Sequence, residues 1–192
     1  MTVLILGLII FIGVHLVPTS QPARAGLTSK LGEGGYKGAF SVASLIGFLL
    51  IVWGMGLARG SAADVHLWTP PAWTKHIAFA LMWPAFVLLV AAYVPSHIRD
   101  KAKHPMLASI KVWALAHLIA NGNLSGLLLF GGFLAWAVYD RISVKKRSAL
   151  GPLGARHGGV VQDVIVVVVG TLAYLAMFRW GHPLLLGIPL VN

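Results

Sequence analysis

Apolar residues run along this chain in long blocks separated by short polar breaks, with none of the two-residue alternation of a half-buried strand. The blocks lie at about 2–18, 37–58, 75–94, 105–120, 124–142 and 161–180. A helix crossing a hydrocarbon core of about 30 Å needs roughly 20 residues. The pattern therefore predicts an all-α, polytopic integral membrane helix bundle of about six transmembrane helices, in a single domain over residues 1–192. The first block has no basic residues ahead of it and no Ala-x-Ala site before Pro18, so it is read as a helix and not as a signal peptide. Asn121-Gly122-Asn123 predicts a tight turn between two helices. Pro105 suits a helix start, and Pro84 predicts a kink.

Composition sharpens this. Of 192 residues, 58% are hydrophobic and only 10% charged, against about 25% charged in ordinary soluble domains. The formal charge of +10 reads as membrane orientation, and nucleic acid is excluded as a partner in favour of the lipid bilayer. With the N-terminus outside, the inner side receives Arg24, Lys30, Lys37, Arg99, Lys101, Lys103, Arg141, Lys145, Lys146, Arg147 and Arg156. The outer side keeps Arg59, Lys75 and Arg179. This asymmetry places both termini on the outer side. The chain has no cysteine, which removes disulfides, thiolate metal sites and cysteine nucleophiles.

In lipid, the informative residues are polar ones at depth. His15 and Lys111 are two, and His117 is the third; His104 marks the inner end of the helix that carries His117. At 1.5 Å per residue, His15 lies about 10 Å and His117 about 18 Å from the inner face. Two imidazoles on different helices at comparable depth can ligate a haem iron from opposite sides. Each can equally hydrogen-bond across helices and fix their packing, and for a single histidine that is the more frequent role. Lys111 either snorkels to the inner surface or meets a buried anion. His66, His76, His97, His157 and His182 fall in loops or at helix ends, where solvation is the default. Asp100, Asp140 and Asp163 read as surface ion-pair partners of small value. Arg24, Arg99, Lys101 and Lys103 can pair haem propionates, with a solvated face as the competing reading. Trp53, Trp68, Trp73 and Trp180 fit an interfacial belt, whereas Trp113 and Trp136 are deeper.

Several stretches resemble the NnrU family of bacterial membrane proteins. They are FxxxHLVPTSQPAR from Phe11, residues 31–54, the segment HPMLASIKVWALAHLIANGNLSGLLLFGGFLAWAVYDR over 104–141, and the terminal GHPLLLGIPLV. The resemblance implies a bacterial inner-membrane location and an association with denitrification and nitric-oxide metabolism. It extends to the plant zeta-carotene isomerases, which bind haem b and isomerise a cis double bond of a polyene. On that likeness His15 and His117 are the cofactor-binding and metal-ligating residues. His104 is then an alternative ligand or a structural cap. Those isomerases carry a cysteine near the second histidine, where this chain has Ala114. A more distant likeness runs to nurim and the isoprenylcysteine methyltransferases, but the acidic pair of their methyl-donor site is replaced here by the basic stretch 139–147.

Three functions follow as expectations. The first is a haem-b protein of nitric-oxide metabolism, or a redox-dependent isomerase taking an apolar small-molecule substrate from the lipid. The second is a non-catalytic maturation or regulatory partner of a membrane protein system for nitric-oxide reduction. The third, a membrane methyltransferase, is weakest because its acidic pair is missing.

Overall fold

The computed structural model describes residues 1–148, 153–154 and 156–190, and among these no strand forms. The helices are α1 (Thr2–Leu16), α2 (Gln21–Ala58), α3 (Thr74–Ala91), α4 (His97–Ala102), α5 (Pro105–Ala120), α6 (Leu124–Lys146), α7 (Val160–Ala176) and α8 (His182–Leu186). A 3₁₀ turn (Val17–Thr19) follows α1, and a π-helical turn (Met177–Gly181) joins α7 to α8. Among the described residues, five segments are long and apolar enough to cross a membrane: Thr2–Thr19, Gln21–Ala58, Thr74–Ala91, Leu124–Lys146 and Val160–Leu186. Helix α5 is apolar but has 16 residues, about 24 Å, which is short of a full hydrocarbon core. Large side chains such as Leu184 (81% exposed) and Val160 (70% exposed) cover the helix surfaces. Water would not tolerate that surface, but lipid does.

The chain divides into two compact units, Met1–Thr69 with Asn121–Ser143, and Pro70–Ala120 with Val144–Asn192. In the first unit α1 and α2 pack backbone to backbone. A Cβ on Gly7 would meet the Ile51 nitrogen at 2.6 Å, and one on Gly47 would meet the Phe11 nitrogen at 2.8 Å. Gly54 sits equally tight against the Leu4 backbone. Small residues allow such close approach where no hydrophobic effect drives helices together.

Helix α2 begins earlier than its apolar block. Its 38 residues would span about 57 Å if straight, well beyond the hydrocarbon core. It is not straight: Gly32, at φ 70° and ψ 164°, breaks it, a conformation that suits a residue without Cβ. Residues 21–31 thus form a separate, largely exposed stretch carrying Arg24 and Lys30. The Gly-rich run at 32–35 is this hinge. On the opposite side of the unit, the loop after α2 clasps the start of α6. Leu124 N–H donates to Val65 O at 2.9 Å, and Leu67 N–H to Gly122 O at 2.8 Å.

In the second unit α3 packs against α5 and α7. Val87, Ala91 and Val166 form its core, with the Gly170 backbone pressed onto Val87. Two interhelical hydrogen bonds add direction: Ser109 Oγ donates to Ala85 O at 2.8 Å, and Trp83 Nε1 to Thr171 Oγ1 at 2.9 Å. Helix α4 falls in a stretch expected to be loop. Its Ser96 Oγ accepts from Arg99 N–H at 3.1 Å as an N-cap.

Candidate functional site: two histidines at membrane depth

His15 lies in the last turn of α1, half-buried. Its Nδ1 is 2.7 Å from the Phe11 carbonyl oxygen. A carbonyl can only accept, so Nδ1 carries the proton and Nε2 carries the lone pair. Aromatic rings surround the imidazole. Phe11 stacks on it at 4.2 Å, Phe40 of α2 lies at 4.9 Å, and Trp136 of α6 meets it edge-on at 5.4 Å. The i, i+4 spacing of Phe11 and His15 produces the stack, as neighbours on one helix face. Asp140 is the carboxylate within electrostatic range of this ring.

His117 on α5 repeats the arrangement. Its Nδ1–H donates to Trp113 O, four residues back, at 2.8 Å, and the Trp113 ring lies 5.3 Å away. This tautomer also leaves the lone pair on Nε2. His182, at the start of α8, is within electrostatic range of His117, and its own Nδ1–H donates to Ile188 O at 2.9 Å. The sequence alone gives His182 only as a position in a loop or at a helix end, and it stands at the start of α8. The signal available was the repeated His-Pro pair at 104–105 and 182–183, and π-helical turns such as the one before it often mark functional positions. His104 stands at the start of α5, where its carbonyl accepts from Ala108 N–H at 3.1 Å, as a helix cap does. Lys111 is half-buried on α5.

One expectation is corrected. Arg99 is not on a solvated face or open to a propionate. It is 7% exposed, and its guanidinium donates at 2.6 Å to both Arg156 O and Gly154 O. His66, His97 and His157 are exposed, as expected, and each also takes a polar partner. His97 pairs with Asp163 at 2.8 Å, and His157 with Asp100 at 3.0 Å. His66 bonds Thr69 at 2.9 Å and Asn123 at 3.3 Å. Apart from His66–Thr69, these contacts join segments 57 to 66 residues apart, so spacing along the chain could not reveal them. Trp136 is deep as expected, at 8% exposed. Among the described residues no group of three or more His, Asp or Glu is placed to hold a metal ion.

An open groove of about 550 Å³ runs beside the His15 cluster, lined by Ile12, Leu16 and Thr19 from the end of α1 and Gly132, Trp136 and Tyr139 from α6. The family model described as NnrU protein matches residues 3–190, nearly the whole chain. No curated protein and no solved structure matches the chain.

Proposed function

The chain belongs to the NnrU family, and on that premise we propose that it is a multi-pass haem-b protein of the bacterial inner membrane, with His15 and His117 as the imidazole ligands. One shared feature carries this reading. Each histidine commits Nδ1–H to a carbonyl of its own helix, at 2.7 and 2.8 Å, which fixes the tautomer and the ring orientation. Metal-ligating histidines are prepared in this way.

The surroundings fit a flat apolar cofactor. Three aromatic rings wall His15, and buried donors described below lack acceptors. Bound haem supplies one-electron redox chemistry. The chain's own residues orient the imidazoles, exclude water and leave a lipid-side groove through which an apolar substrate can approach. A role in nitric-oxide or denitrification metabolism rests on the family likeness. Polyene isomerisation is the second use of the same site. With no cysteine in the chain, it would have to proceed without a thiolate ligand.

The test is the absorption spectrum of detergent-purified protein, oxidised and then dithionite-reduced. Near-stoichiometric haem with sharp reduced bands is expected. His15→Ala and His117→Ala should each abolish haem uptake while leaving helical content unchanged. Full haem retention in either variant would remove that residue from the ligand set. A colourless protein that hemin cannot reconstitute would favour the maturation-partner role.

A further inference from the structure

Among the described residues, three side-chain polar atoms of the first unit are buried without a hydrogen-bond partner: Tyr36 Oη, Ser44 Oγ and Trp136 Nε1. Tyr36 and Trp136 are each 8% exposed. A buried polar group left unpaired costs free energy, and at membrane depth little water is at hand to relieve it. Ser44 is easily accounted for, since its hydroxyl can rotate towards a carbonyl of its own helix. The other two have no such escape. An indole N–H only donates, and the phenol of Tyr36 extends well beyond its own backbone.

Both belong to the His15 cluster. Tyr36 and Phe40 are one turn apart on α2, their rings 6.3 Å apart. Phe40 and Trp136 are the rings at 4.9 and 5.4 Å from the imidazole. The groove reaches Trp136 as well. What is missing is therefore an acceptor, next to a histidine in an aromatic setting. Its charge is indicated by Arg24, whose guanidinium carbon lies 6.0 Å from the Tyr36 ring centroid. Among the described residues Arg24 pairs with Glu33 at 3.5 Å, an exposed and long contact that Glu33 shares with Lys37 at 3.9 Å. A cation over the ring of a tyrosine whose O–H is unpaired suits a carboxylate nearby.

We propose that Tyr36 and Trp136, with Arg24, are the donors for the carboxylate arms of the planar ligand held at His15. This rests on the haem reading above, in which those arms are the two propionates. The assignment replaces Arg99, which is buried and bonded to two backbone carbonyls, and it explains why two polar aromatics are buried at this cluster.

The experiment titrates the full-length, cofactor-free protein in detergent with hemin and with hemin dimethyl ester, which lacks the two charges. The Soret band and tryptophan fluorescence are followed, against protein-free micelles. The ester should bind wild type at least about tenfold more weakly, the worth of a hydrogen bond to a charged group. Tyr36→Phe and Trp136→Phe, which keep an aromatic ring, should weaken hemin by about tenfold and barely affect the ester. The spectral signature that depends on His15 should persist in both variants. Equal affinity for acid and ester in wild type, with that signature intact, would overturn the carboxylate assignment and spare the haem reading. Failure of wild type to bind hemin would overturn the haem reading and this assignment with it.

Discussion

Asp64 shows how much one residue in a polar loop can hold. Its carboxylate accepts from Ser125 N–H at 2.8 Å, Ser125 Oγ at 2.9 Å and Asn123 Nδ2 at 3.2 Å. Ser125 is in the first turn of α6, so Asp64 caps that helix from a distant segment and meets the positive end of its dipole. Partial burial pushes the carboxyl up, but the three hydrogen bonds and the Arg59 charge outweigh it and hold Asp64 below its ordinary value of 3.8. A depressed carboxylate contributes stability above its unfolded value, and that stability is lost as pH falls through the folded value. Asp64→Asn is therefore expected to melt below wild type at pH 7, with the gap closing below about pH 4. Thermal unfolding in detergent across pH 3–8 checks this; a gap independent of pH would mean that the charge contributes nothing.

At the scale of elements, the α1–α2 pair depends on missing side chains. Gly7, Gly47 and Gly54 leave no room for a Cβ, because the facing atoms are backbone and cannot swing aside. Gly54→Ala should push the helices apart and destabilise the protein by about 1–3 kcal/mol, the usual cost of overpacking. Gly56, two residues on, has nothing within 4 Å of a Cβ. There alanine should be neutral or raise stability by about 0.4–1 kcal/mol, since it restricts the unfolded chain. Melting temperatures of the two variants decide it, and equal effects would refute the packing argument. The same pair positions His15, because Phe11 touches Gly47 while Phe40 of α2 flanks the imidazole.

For the molecule as a whole, charge asymmetry predicts the sidedness of the membrane topology. Eleven Lys and Arg fall on the predicted inner side against three outside, the bias expected of cytoplasmic loops. The natural absence of cysteine makes this testable without background. Ala62→Cys, in the loop after α2, should react with a membrane-impermeant maleimide in intact cells. Lys101→Cys, on α4, should react only after permeabilisation. The reverse labelling pattern would invert the orientation.

The sequence by itself determined the membrane class, the helices and the two candidate histidines, because lipid admits long apolar helices and makes each buried polar residue conspicuous. Family membership followed from the same residues. Block edges also marked the starts of α3, α5 and α6 to within a residue. Tertiary structure alone decided what those histidines touch. Phe40 and Trp136 reach His15 from helices 25 and 121 residues further along the chain, and such pairings leave no local pattern. It likewise turned Arg99 from a surface cation into a buried clamp and made the Gly32 run a hinge. It also left Tyr36 and Trp136 as buried donors without acceptors. Composition and periodicity report what a residue prefers; only packing decides whether that preference is met.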